Sequence, residues 1–371
     1  MLQNLFRFSS NNEIIRPVRR RRHDERGASL SYALLAIWLV WITSTAAAQT
    51  ARYETLVKPA QDEDIARDCR YELTLPNPTR PIRAVWVIFE RGRELTTLYR
   101  DSEVIAFAQR QRIALMLACH CPSKDYGDMN VIPSRGIGRA MFTALEQFAQ
   151  TANHPELAAS KVILLSFSGG GSLVARMAGY APDRVIAAIP YAPGNVEPLG
   201  INTVELPAEA LAIPQLIIAN GGDNVCGTER PYKYFQQYYG RGAPWTFVVQ
   251  NNIPHCCIGN AKTLILTWLE VIIKLRRPTA APGPLQPISR HAGWSAFFKT
   301  ELTGAKDDWG QPTWNMVDVE IQPLERVKSE RLMTAGWLPT RGVMNAWLSF
   351  VKATHSVDVY DHPPHRPSRS K

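Results

Sequence analysis

A chain of 371 residues with 45% hydrophobic and 20% charged side chains has a globular composition, long enough for one large α/β domain or two smaller ones. The formal charge of +9 is uneven: seven arginines against Glu13, Asp24 and Glu25 give residues 1–48 a net +4, leaving an unremarkable +5 for the rest. No aromatic-interleaved basic patch accompanies that charge, so nucleic acid is excluded as the expected partner.

The first segment reads as a targeting signal. Arg19 to Arg22 form a basic region, Leu30 to Ile42 is uncharged and mostly apolar, and Ala46-Ala47-Ala48 before Gln49 fits a cleavage site of the A-x-A kind. The apolar core is short for a membrane span of about 20 residues. Residues 1–48 are therefore expected to be a signal peptide cleaved after Ala48, leaving a secreted or periplasmic chain without a stable membrane anchor. The basic region is long, which places a true start downstream of Met1 among the options.

Six cysteines follow: Cys69, Cys119, Cys121, Cys226, Cys256 and Cys257. An even count in an exported chain points to disulfides, in a connectivity that spacing leaves open. Cys119-His120-Cys121 is too cramped to hold a metal alone and no Cys-x-x-Cys pair is present. Neither a metal nor a cofactor is expected.

Residues 49–80 are polar with scattered apolar positions, and Arg70 to Pro76 reads as an early edge strand. Arg83 to Phe89 is a buried strand closed by Glu90-Arg91-Gly92-Arg93. Asp101 is placed to cap a helix running to Gln109. Ile113 to Ala118 is the next strand, then Ile137 to Thr151 a helix with Met141, Leu145 and Phe148 inward.

Lys161 to Ala178, KVILLSFSGGGSLVARMA, then gives a continuous apolar strand, a tight turn and a helix. Further strands are expected at 184–189, 214–219 and 245–249, with helices at 229–239 and 260–274. This alternation is the pattern of a parallel, doubly wound sheet with helices on both faces. Residues 49–275 form that domain. A Pro-rich linker (276–287), a Trp-rich C-terminal extension or small subdomain (288–354) and a disordered tail (355–371) follow. Five tryptophans, 294, 309, 314, 337 and 347, fall in the extension. They either pack on the sheet or rim a site.

Ser166-Phe167-Ser168-Gly169-Gly170, between a strand and a helix, has the small-x-Ser-x-Gly form of a nucleophile elbow, with Ser166 where Gly is usual. A glycine-rich phosphate loop is the competing reading, but Gly-Lys-Ser/Thr is missing. Ligand sites in such sheets lie at the carboxyl ends of strands. Ser168, Asp223 and His255 each follow directly on an expected strand. A serine hydroxyl needs a base within hydrogen-bond reach, and histidine is the residue type suited to it. A carboxylate on the far ring nitrogen fixes the tautomer and supports the cation that forms. Ser168 is thus read as nucleophile, His255 as base and then acid, and Asp223 as orienter. Glu197 is the second choice of acid. Asp223 as a mere turn cap and His255 as a surface loop residue are the bland alternatives.

From about Arg83 to Lys274, roughly half the chain, the sequence resembles an α/β-hydrolase of the secreted serine esterase kind, similar in layout to feruloyl esterases and polyhydroxyalkanoate depolymerases. The resemblance rests on the Ser166–Gly170 elbow, the Gly221-Gly222-Asp223 turn, the Pro254-His255 loop and the order Ser, Asp, His. It implies an oxyanion hole built from the Gly169 amide and an amide of Arg91 or Gly92, in a loop that is often His-Gly rich in relatives. A Cys226–Cys256 or Cys226–Cys257 bridge would tie the acid loop to the base loop. The expected function is hydrolysis of small-molecule or polymeric carboxylic esters. A peptidase on the same residues and a non-catalytic exported binding protein are the alternatives. Oligomeric state is not legible.

Overall fold

The computed structural model describes residues 50–125, 131–196, 204–277, 283–288, 290–327 and 333–355. The expected leader, Glu197, residues 278–282 of the Pro-rich piece and the tail beyond 355 lie outside them. Every described residue belongs to one compact unit, Ala48–Lys371. No described helix is long and apolar enough to cross a membrane.

Among the described residues the centre is an eleven-stranded sheet in the order β1-β2-β4-β3-β5-β6-β7-β8-β11-β9-β10. Strands β3 (Ala84–Phe89), β4 (Ile113–His120), β5 (Val162–Phe167), β6 (Val185–Tyr191), β7 (Leu216–Asn220) and β8 (Thr246–Gln250) run parallel. β3, β6, β7 and β8 are buried at every position, because helices cover both faces and leave no polar side to alternate with. The chain starts this set at β3, steps to β4 on one side, then crosses back to β5 on the other. The order therefore reverses between β3 and β5, and the crevice that such sheets use for ligands opens at their carboxyl ends.

The helices are α1 (Arg93–Arg100), α2 (Ser102–Gln111), α3 (Ile137–Thr151), α4 (Gly169–Tyr180), α5 (Glu229–Tyr239), α6 (Ala261–Arg276) and α7 (Arg341–Lys352). Asp101 caps α2 as the sequence implies, its carboxylate accepting from the amides of Glu103 and Val104. The spacing of Leu95, Leu98 and Tyr99 makes α1 helical, but the helix is short and opens on Gly92 without a side-chain cap. That is why the pattern was missed in sequence.

One expectation changes. Arg70 to Pro76 is not an edge: β1 (Ala51–Val57) pairs antiparallel outside β2 (Cys69–Leu75). β1 packs on α3 through one face only, so Arg52, Glu54 and Leu56 point to solvent and dilute its apolar signal. At the other edge, the C-terminal piece continues the same sheet. β11 (Thr334–Leu338) pairs with β8, β9 (Trp294–Lys306) with β11, and β10 (Pro312–Pro323) with β9, all antiparallel.

The tryptophans mostly serve that join. Trp314, Trp337 and Trp347 are buried, and the Trp347 indole on α7 donates to the Phe247 carbonyl of β8 at 2.9 Å. α7 in turn packs on α6. Trp309 is the exposed exception, with the Arg230 guanidinium 3.4 Å from its ring centroid.

Candidate active site

β5 passes into α4 with a single residue between them. That residue, Ser168, adopts φ 57° and ψ −127°, a conformation a non-glycine residue holds only at a cost of about 1–3 kcal/mol. Its neighbours hold it there. The Ser168 amide donates to the Tyr191 carbonyl at 2.9 Å, and the Ser168 carbonyl accepts from Gly171 at 2.9 Å and Gly194 at 3.3 Å. Gly171 is where α4 crosses the end of β6 most closely: a Cβ there would lie 2.9 Å from the Tyr191 carbonyl oxygen. Ser166, the departure from the usual glycine, is fully buried and donates through Oγ to the Phe89 carbonyl at 2.9 Å. It ties the elbow to the end of β3, where the Glu90-Arg91-Gly92 loop begins.

Asp223 follows β7 across Gly221 and Gly222 and is completely buried. Its Oδ1 accepts from the amides of Val225 at 2.9 Å and Cys226 at 2.8 Å, and its Oδ2 meets His255 Nδ1 at 2.8 Å. Turn cap and histidine partner, alternatives in sequence, are one carboxylate using its two oxygens. His255 follows β8, largely buried, with its ring centroid 4.8 Å from that of Phe167. The Asn220 amide group brackets it, donating to the carbonyls of Pro254 at 2.9 Å and Cys256 at 2.8 Å. Its Nε2 lies 2.9 Å from Ser168 Oγ. Three residues from three strand ends thus form one hydrogen-bonded chain.

The oxyanion candidates sit around the same elbow. Gly169 contributes the first amide of α4, which has no intrahelical acceptor. A Cβ at Gly169 would lie 3.8 Å from an Arg91 guanidinium nitrogen, so the Arg91 side chain, and not only its backbone, reaches this corner. Gly92 opens α1 at φ 85°, a left-handed conformation that favours glycine.

The cysteines pair differently from the sequence expectation. Cys69 bonds Cys121, and Cys256 bonds its neighbour Cys257, while Cys119 and Cys226 are free and buried. No bridge joins the acid and base loops. Cys226 instead places its sulfur 4.0 Å from His255 Nε2. Burial, with the Asp223 charge added, pushes its thiol well above the ordinary range. Asp223, Cys226 and His255 offer potential metal-ligand atoms all within 4.8 Å of one another. His154 is occupied elsewhere, between Glu156 and the Pro78 carbonyl, both at 2.9 Å.

What sequence reading missed is the tie between the two loops, made by the C-terminal hairpin. Asn315 of β10 accepts from the Asn252 amide at 2.8 Å and donates to Asn252 Oδ1 at 2.6 Å. Asn251 accepts from the Met316 amide and donates to its carbonyl, both at 2.8 Å. The Trp314 amide donates to Thr228 Oγ1 at 3.0 Å, on the far side of the acid loop. The Asn251-Asn252 pair standing three residues before His255 was the available signal; its partners were too far along the chain to be inferred.

A mostly parallel sheet with a strained serine elbow, and an Asp and a His at later strand ends in the order Ser, Asp, His, is an α/β-hydrolase fold. No family model and no curated protein sequence matches the chain. Among solved structures it is similar to an S-formylglutathione hydrolase from Agrobacterium tumefaciens, at 14% identity over 62% of this chain and 96% of that one, with a TM-score of 0.44. A fluorophosphonate-binding serine hydrolase from Staphylococcus aureus matches at 13% identity over 60% and 98%, TM-score 0.41. An esterase from the archaeon Pyrobaculum calidifontis matches at 15% over 60% and 80%, TM-score 0.38.

The Asn315 clamp is testable by stability. Each of its hydrogen bonds contributes about 0.5–1.5 kcal/mol, so Asn315→Ala, which removes two, is expected to cost about 1–3 kcal/mol. Urea titration reads this as a lower midpoint at unchanged slope; a wild-type midpoint would show that the Asn315–Asn252 pair does not fasten the base loop.

Proposed function

We propose that the chain is an exported serine hydrolase that cleaves carboxylic esters through an acyl-enzyme. One observation carries the reading: Ser168 Oγ, His255 and the buried Asp223 carboxylate lie in an unbroken hydrogen-bonded line at 2.9 and 2.8 Å.

In this reading Ser168 Oγ attacks the ester carbonyl carbon while His255 Nε2 takes its proton. Asp223 Oδ2, on Nδ1, fixes the tautomer and supports the imidazolium that forms. The amide of Gly169, joined by an amide from Arg91 or Gly92, receives the negative charge that develops on the carbonyl oxygen. His255 returns the proton to the leaving alkoxide, and the alcohol departs. Water, deprotonated by His255, then opens the acyl-Ser168 ester by the same steps in reverse. The strained elbow serves this chemistry by holding Oγ clear of the sheet at the switch-point crevice.

Export is proposed on the basic, apolar and small-residue run of the first 48 residues, and the Cys69–Cys121 disulfide supports it, since such bonds persist in oxidising compartments. The intact mass of chain recovered outside the cytoplasm is expected to begin at Gln49; an uncleaved cytoplasmic product contradicts export.

A chromogenic short-chain ester tests the chemistry. Ser168→Ala is expected to lower kcat by on the order of 10⁴-fold or more, and Asp223→Asn by about 10⁴-fold with the fold intact. Turnover equal in Ser168→Ala and the parent would remove the serine mechanism and favour a binding protein on this scaffold. A panel of esters, amides and polymers then separates esterase from peptidase.

A further inference from the structure

Cys226 is a nucleophilic group at the site that the proposed hydrolysis leaves without a task. Four of the six cysteines are paired, Cys119 lies away beside Glu72, and Cys226 alone puts a free sulfur against the Ser168–His255 pair. We propose that Cys226 Sγ and His255 Nε2 form a binding site for a thiophilic divalent cation, zinc being the fitting ion, and that occupancy of this site disarms Ser168.

The geometry suits a tetrahedral ion. Zinc bonds sulfur at about 2.3 Å and imidazole nitrogen at about 2.0–2.1 Å, which places the two ligand atoms roughly 3.5 Å apart. Sγ and Nε2 stand at 4.0 Å, so an approach of about half an ångström brings them to coordination distance. Ser168 Oγ, 2.9 Å from Nε2 on the lone-pair side of the ring, stands where the ion would sit, so metal and hydroxyl compete for Nε2 and binding turns the Ser168 side chain aside. A carboxylate on the far nitrogen of a ligating histidine orients the ring and raises its basicity, and Asp223 Oδ2 already holds Nδ1 at 2.8 Å. The same carboxylate, through Oδ1, anchors the Cys226 backbone at 2.8 Å, so one buried group steadies both ligands. Room for the sulfur is kept by Gly194, where a Cβ would come within 3.0 Å of Sγ.

The protons balance without an oxidant. Coordination requires the thiolate, so the Cys226 S–H proton leaves to solvent as the metal–sulfur bond forms. The Nε2 lone pair that accepts from the Ser168 hydroxyl is turned to the metal, and Ser168 loses its base. Removing the metal and reprotonating Cys226 restores the hydrogen-bonded line. This site rests on the position of the three side chains and not on the proposed hydrolysis, so binding is measured first without substrate.

Cobalt(II) is the probe, because a cobalt–thiolate bond absorbs in the near ultraviolet. The chain carrying Cys119→Ser, in which Cys226 is the sole free thiol, is expected to show that band saturating at a single equivalent and bleached by zinc. Cys226→Ser and Cys226→Ala are expected to lose it. Each substitution is checked for cooperative thermal unfolding. No thiolate band in the Cys119→Ser chain overturns the site, whatever becomes of the Cys226 variants; so does a band that survives removal of Cys226. In the ester assay, Cys226→Ser is expected to weaken zinc inhibition, relative to its own metal-free rate, by about tenfold or more; equal inhibition with and without Cys226 overturns the link to Ser168. A band in a chain that hydrolyses no ester leaves the metal site standing and removes the hydrolase reading instead.

Discussion

The structure turns on the backbone of one residue. The step from β5 to α4 is taken by Ser168 alone, in a left-handed conformation that sequence chemistry disfavours. The surrounding fold meets that cost. Tyr191 and Pro193 at the end of β6 press on Gly171, which has no side chain to resist, and backbone bonds from Gly171 and Gly194 close on the Ser168 carbonyl. Ser166 adds a bond to Phe89 at the end of β3. Because the sheet order reverses between β3 and β5, this strained corner coincides with the crevice that parallel sheets open to ligands.

A second constraint is the burial of Asp223. A carboxylate wholly out of water must be met by donors, and two amides and the His255 ring supply them. The loops on either side of that carboxylate have no bridge between them. The C-terminal hairpin fastens them instead: β10 grips Asn251 and Asn252 ahead of His255 and reaches Thr228 beyond Asp223. The C-terminal hairpin is thereby part of the site's framework, although none of the described side chains of the last third enters the hydrogen-bonded line from Ser168 to Asp223.

Much of this was legible in the sequence where the signal is local. The apolar run of β5, the elbow, the Gly-Gly-Asp turn and the capped α2 each carry their information within a few residues, and α3 and α5 fall on the expected residues. What was illegible depends on partners distant in the chain. β1 is recognisable only once α3 covers one of its faces. The pairing of Cys256 with Cys257, leaving Cys226 free, depends on how the loops are folded rather than on their spacing. Tryptophans that could have rimmed a site are mostly buried in the join between β8 and the added strands, which composition does not reveal.

The central claim is that Ser168 is a nucleophile activated by His255 and Asp223, and covalent labelling tests it most directly. The protein is treated with an organophosphonate bearing a fluoride leaving group, digested and mapped by mass spectrometry, beside His255→Asn. The expected result is a single phosphonyl adduct on Ser168 that forms far more slowly when His255 is replaced. An adduct on another residue, or labelling of Ser168 at the same rate without His255, would contradict it.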